Sequence, residues 1–258
     1  MDSVTSKDGT TIAFDRLGAG PPVVLVSGGS VDRGSNAPLA DVLASQFTVL
    51  NYDRRGRGPS SDTEPYAVQR EIEDIDAVIG AAGGSAGLYG SSSGAALALE
   101  AAAAGLAVTK LALWEPPYIG EGRPRPAEET ASIYRKFVAE GKRGDAVEYF
   151  MAKVVGMPAE FVGFARSQPW WPAQEALAHT LAYDAEIMGD YVLPVDRVAK
   201  VGVPTIVLTG SESFDWMDET AKAIVAALPD GRHRTIEGAS HDVDANKLGP
   251  LLAEFFAG

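Results

Sequence analysis

A chain of 258 residues with 46% hydrophobic composition can bury one substantial core, which sets disorder aside. Its formal net charge of -13 repels phosphate backbones, and basic residues cluster tightly only at Arg54, Arg55 and Arg57, so nucleic acid is not an expected partner. The absence of cysteine removes disulfides, thiolate metal ligands and a cysteine nucleophile together, and it fits a reducing cytoplasm.

In chain order, the opening MDSVTSKDGTT lacks the charged-then-apolar order of a secretory signal, and a cytoplasmic location is expected. The first residues read as a hairpin with a strand over 10–15. A buried strand over 22–27 follows, then a Gly-Gly turn, a helix through Leu39, Leu43 and Phe47, and a strand over 47–52. Ile72, Ile75, Val78 and Ile79 recur at helical spacing and predict a helix over 67–82. A small-residue strand over 85–89 runs into Gly90, an Ala-rich helix covers 94–104, and a strand covers 110–114. Glycines and the charges of Glu100 and Lys110 break this least polar stretch, so it holds no membrane span of about 20 apolar residues. Between 116 and 194 the strand pattern stops, and helical segments carrying Tyr134, Phe137, Tyr149, Phe150, Phe161, Trp170 and Trp171 take over. A strand over 203–209, a helix over 218–228, a strand over 232–236 and a helix over 247–256 close the chain. Strands alternating with helices predict an α/β domain built on a largely parallel sheet.

Gly90-Ser91-Ser92-Ser93-Gly94 fits G-x-S-x-G between a predicted strand and a predicted helix, and makes Ser92 the candidate nucleophile. A tight strand-to-helix turn lifts one hydroxyl clear of the backbone, and the glycines relieve the crowding. Ser91 or Ser93 as nucleophile would misplace those glycines. A serine hydroxyl needs a base, and position separates the three histidines. His233 lies in a charged, strand-like run and His179 among the helices of 116–194. His241 follows the last strand on a turn before the terminal helix, the expected end of the sheet for a base.

Four features in order resemble the α/β-hydrolase superfamily across nearly the whole chain. Val24-Leu25-Val26-Ser27-Gly28-Gly29 is similar to the strand and His-Gly-x turn of its oxyanion hole, with Ser27 replacing the usual histidine. Asp53-Arg54-Arg55-Gly56-Arg57-Gly58-Pro59-Ser60 resembles its D-x-R-G-x-G-x-S loop, expected here to be structural, with Asp53 and an arginine bracing the turn. The elbow at Ser92 and the Gly-x-x-His at His241 complete the set. The resemblance implies an α/β-hydrolase fold: a mostly parallel eight-stranded sheet with helices on both faces, a core of residues 1–118 and 195–258, and a helical cap over 119–194. It also implies oxyanion donors at the backbone N–H groups of Gly29 and Ser93. The acid departs from the family pattern, because Gly210-Ser211-Glu212-Ser213 carries serine where most relatives have aspartate. Two carboxylates are open. Glu115 ends the strand after the elbow helix, a layout similar to that of haloalkane dehalogenases, and ranks ahead of Asp215, which needs a rearranged loop.

Such a site implies acyl transfer to water, with a carboxylic ester or lactone as the simplest substrate and no metal or organic cofactor required. Serine at the elbow argues against the dehalogenases and epoxide hydrolases of this fold, which attack through aspartate. Trp170 and Trp171 are candidate substrate contacts in an apolar pocket of the cap. A small-molecule substrate, with neither nucleic acid nor membrane, is the expected partner. The competing expectations are a non-catalytic ligand-binding protein and a cofactor-free lyase, cyclase or perhydrolase on the same scaffold.

Overall fold

The computed structural model describes residues 1–258. Eight strands form one sheet in the order β1-β2-β4-β3-β5-β6-β7-β8. The opening hairpin pairs β1 (Asp2–Thr5) with β2 (Thr11–Leu17), and β2 runs antiparallel to β4 (Thr48–Tyr52). From β4 onward all pairing is parallel, through β3 (Pro22–Val26), β5 (Ala86–Ser91), β6 (Val108–Trp114), β7 (Thr205–Gly210) and β8 (Gly231–Ile236).

Parallel strands are covered on both faces, and the side-chain alternation divides the core accordingly. Val24, Val26, Leu88, Leu111, Leu113 and Val207 face one layer. That layer holds α2 (Val68–Ala81), α3 (Ser93–Ala103) and α10 (Asp215–Ala227). Val23, Leu25, Tyr89, Ala112, Trp114 and Leu208 face the other, against α1 (Ala37–Leu43) and α11 (Ala245–Ala257). The sequence pattern ran α1 through Phe47, but the helix stops at Leu43. Phe47 leads into β4 and packs on Phe256, so its spacing from Leu43 mimicked another helical turn.

Between β6 and β7 lie α4 (Thr130–Ala139), α5 (Arg143–Tyr149), a π-helical segment Phe150–Val155, α6 (Ala159–Ala165), α7 (Trp171–Leu177), α8 (Leu181–Met188) and the short α9 (Val195–Val198). Tyr134, Val147, Met151, Val162, Trp171 and Leu181 give this insertion a core of its own. No helix is long and apolar enough to cross a membrane.

The chain runs from β3 to β4 on one side, then returns past β3 to β5 and continues outward on the other side. Strand order therefore reverses beside β3 and β5, and the carboxyl ends of strands at such a reversal open a crevice that ligands occupy.

Candidate active site

At that crevice β5 turns into α3 through Ser92, whose backbone sits at φ 54° and ψ -125°. A non-glycine residue there carries strain of about 1–3 kcal/mol, tolerated only where surrounding contacts over-determine it. The Ser92 N–H donates to the Trp114 carbonyl at 2.8 Å and its carbonyl accepts from Ala95 N–H at 2.9 Å. The two motif glycines are required by close approach. A Cβ on Gly90 would lie 2.7 Å from Ala95 Cα, and one on Gly94 would lie 2.8 Å from the Ser27 carbonyl carbon. Ser92 itself is half-buried, which leaves its hydroxyl reachable.

The turn after β3 lies against this elbow. A Cβ on Gly28 would sit 3.2 Å from Ser92 Cβ, and one on Gly29 would sit 3.4 Å from Ser93 Oγ. The Gly29 N–H makes no hydrogen bond within the chain. Ser93 opens α3, where the first amides of a helix have no intrahelical acceptor. The turn after β3 and the start of α3 thus meet at Ser92.

β6 ends in register with β5, pairing Ser91 with Trp114. The next residue, Glu115, takes φ 45°, which turns its buried side chain toward the loop after β8. Its Oε1 accepts from the Gly210 N–H at 2.8 Å and its Oε2 from His241 Nδ1 at 2.6 Å. A carboxylate only accepts, so the proton sits on Nδ1 and Nε2 carries the free lone pair. Trp114 fixes the same loop through its backbone, with Nε1 donating to the His241 carbonyl at 2.9 Å. Lys247 Nζ donates to the Gly238 carbonyl at 2.6 Å, and the Gly238 N–H to Ser211 Oγ at 2.8 Å.

The remaining sequence candidates make no hydrogen bond to Glu115 or His241. Asp215 is exposed in the first turn of α10, where its charge favours the helix N-terminus, and it makes no hydrogen bond to His241. Ser213, at the place of the usual aspartate, has a buried hydroxyl without a partner. His233 shares a hydrogen bond of 2.9 Å with Thr209 Oγ1 on the sheet edge, and burial lowers its pKa. His179 is within the insertion, 3.9 Å from Asp62, and burial and the Arg143 charge lower its pKa. Trp171 is buried in the insertion's own core, its indole N–H donating to Glu175 at 2.7 Å, while Trp170 lies exposed beside it. No group of three or more His, Cys, Asp or Glu side chains is arranged to hold a metal ion.

The basic cluster is fully buried rather than a surface patch. The arginine that braces Asp53 is Arg33, from outside the loop, through its backbone N–H at 2.8 Å and its guanidinium. Arg54 forks onto Glu71 at 2.7 Å and reaches Asp184 Oδ1 at 2.7 Å. Arg57 pairs with both oxygens of Asp184 at 2.9 Å and donates to the Gly28 carbonyl. Asp184 also accepts from Ser93 Oγ at 2.8 Å. Burial would raise the Asp184 carboxyl, but the Arg57 and Arg54 charges and the Ser93 hydrogen bond hold it below its ordinary value. Sequence reasoning passed over Asp184. Its signal was a buried acidic residue in the otherwise largely apolar run 181–188, where the other carboxylate, Glu186, is only half-buried and pairs with Arg135.

A model of the alpha/beta hydrolase family matches residues 23–246. An alpha/beta hydrolase from Sphaerobacter thermophilus DSM 20745 is 49% identical, covers 99% of this chain and 100% of its own, and superposes with a TM-score of 0.94. An esterase from Exiguobacterium antarcticum shares the fold at 19% identity, with a TM-score of 0.76 over 99% of each chain. The uncharacterized hydrolase YraK of Bacillus subtilis is 34% identical over 96 residues, which span 36% of this chain and 35% of YraK. The family match covers the elbow, the turn after β3, Glu115 and His241 together, and the chain belongs to the alpha/beta hydrolase family.

Proposed function

We propose that the protein is a serine hydrolase that cleaves a carboxylic ester or lactone through an acyl-enzyme. The observation that carries this reading is the 2.6 Å contact of His241 Nδ1 with the buried Glu115 carboxylate, at the strand ends where Ser92 leaves β5. In the proposed reaction Ser92 Oγ attacks the carbonyl carbon and its proton passes to His241 Nε2. Glu115 holds the imidazole in that tautomer and stabilises the imidazolium. In this reading the negative charge on the carbonyl oxygen falls between the N–H groups of Gly29 and Ser93, whose value as donors comes from being oriented before the charge develops. Collapse breaks the bond to the alkoxy oxygen, which takes the proton from Nε2. Water then attacks the acyl-enzyme with His241 as base and releases the acid and Ser92.

A carboxylate on His241 also removes the main ground for a non-catalytic reading, which was the serine in the usual place of the acid. The esterase from Exiguobacterium antarcticum and an enol-lactonase from Burkholderia xenovorans LB400, which is 19% identical with a TM-score of 0.74, share the fold and keep ester and lactone substrates in view. The test is labelling with a fluorophosphonate, located by peptide mass, together with hydrolysis of p-nitrophenyl acetate and butyrate. The label is expected on Ser92, and Ser92→Ala is expected to lose both labelling and turnover while remaining folded. Turnover by Ser92→Ala equal to the wild type would overturn the assignment.

A further inference from the structure

We infer that Asp184, a carboxylate contributed by the insertion, is a positioning residue that sets both oxyanion donors through Arg57 and Ser93. The inference rests on the serine-hydrolase reading. Its geometric core is one peptide plane. The Gly28 carbonyl and the Gly29 N–H belong to the same planar trans unit and point in opposite directions. Arg57 Nη1 holds the Gly28 carbonyl, so it also fixes the Gly29 N–H in the opposite direction, in a turn that lies against the elbow. The same Nη1 donates to the Val31 carbonyl at 3.0 Å, and Arg54 Nη1 lies 3.4 Å from the Ser27 carbonyl. Three carbonyls of the turn are thereby drawn to two guanidiniums.

Those guanidiniums are oriented from the insertion. Asp184, on α8, takes both oxygens to Arg57 Nη2 at 2.9 Å and one of them to Arg54 Nη1 at 2.7 Å. It accepts from Ser93 Oγ at 2.8 Å and so touches the residue that supplies the second donor. A Cβ on Gly29 would lie 3.2 Å from Asp184 Oδ2, so the carboxylate sits directly behind the turn. A second tie from the insertion lies one residue on, where Ser30 at φ 58° donates its hydroxyl to Gln174 Oε1 of α7 at 2.5 Å. A carboxylate this close would oppose negative charge on a substrate oxygen. The two arginines offset it, and Glu71 balances the second arginine. Asp184 thus acts through geometry, with its charge compensated, and the insertion takes part in catalysis without touching the reacting atoms.

The test compares wild type, Asp184→Asn and the double variant Arg57→Met/Asp184→Leu. The double variant removes a buried pair together, which commonly preserves folding where a single deletion does not. Each is assayed for p-nitrophenyl acetate turnover and for amide hydrogen exchange in peptides covering residues 27–31. Loss of a whole oxyanion donor costs about 10²–10³ in kcat, so misaimed donors are expected to lower kcat about 10- to 100-fold. KM should stay within about twofold, because ground-state contacts are unchanged. Exchange at 27–31 is expected to rise in both variants, with remote peptides of the sheet unchanged. Folded variants with wild-type kcat and wild-type exchange would overturn the inference, as would a double variant whose kcat returns to wild type. A wild-type protein that neither takes the fluorophosphonate nor turns over esters would instead overturn the hydrolase reading and any catalytic role for Asp184. The exchange data would then still report whether Asp184 holds the turn.

Discussion

Glu115 is held from three directions: its N–H donates to the Leu208 carbonyl at 3.0 Å, one carboxylate oxygen takes the Gly210 amide and the other takes His241. Its positive φ is therefore locked by the neighbouring strand rather than by a free turn. Replacing Glu115 with glutamine keeps the shape and removes the charge that fixes the imidazole tautomer and stabilises the imidazolium. On the proposed mechanism this lowers kcat by up to about 10⁴ with little change in KM. Asp215→Asn removes a charge from an exposed helix start and is expected to leave kcat unchanged and stability within about 0.5 kcal/mol. Steady-state kinetics of the two variants side by side checks both statements, and a damaging Asp215→Asn would move the acid to the loop after β7.

The site is assembled from the ends of separate elements, each fixed by its own packing. β3 supplies the glycine turn, β5 and α3 the elbow, β6 the carboxylate, and the loop between β8 and α11 the histidine. Trp171 belongs to a different element, α7 of the insertion. It is 4% exposed, within the insertion's core, and its truncation leaves a cavity there. Trp171→Ala is expected to cost about 3–5 kcal/mol in urea unfolding, whereas Trp170→Ala at an exposed position is expected to change stability by less than about 0.5 kcal/mol. Equal effects would mean that the pair does not divide between core and surface. This division was not legible from the sequence, where adjacent aromatics in a helical stretch carry no sign of which one faces inward. The strands and the elbow were legible because local pattern determines them: apolar runs for β3, β6 and β7, and glycines at the two points where backbones cross. Glu115 was legible as a candidate because it directly follows a strand, but the choice against Asp215 needed the Gly210 and His241 contacts. The arginine network was hidden for a different reason. Arg54 and Arg57 find Asp184 across 130 and 127 positions of sequence, and no local rule reports a partner at that distance.

Over the whole molecule, a net charge of -13 coexists with three buried arginines, each paired with buried carboxylates. These pairs tie distant parts of the chain together instead of lightening the negative surface. Arg55 joins a different set of elements. It forks onto Asp74 of α2 at 2.8 Å and reaches Asp8, in the turn between β1 and β2, at 2.9 Å, so it joins the outer hairpin to a helix that covers the sheet. Burial opposes ionisation of Asp8, but hydrogen bonds from Thr10 and Arg55 and the Arg55 charge lower its pKa from 3.8 to about 2. A carboxyl with a folded pKa below its unfolded value stabilises the fold above the unfolded value, and the contribution fades as pH falls toward the folded one. Burial of Asp74 raises its pKa and contributes with the opposite sign, so the total acid response of the protein does not isolate either group. The difference between wild type and Asp8→Asn does. The variant is expected to unfold at a lower temperature than wild type at neutral pH. The gap should stay constant down to about pH 5 and then narrow steadily as both proteins are taken toward about pH 3. Thermal melts across that series test it. A gap of constant size down to the lowest pH at which both remain folded would mean that the Asp8 contact with Arg55 is not what anchors the hairpin.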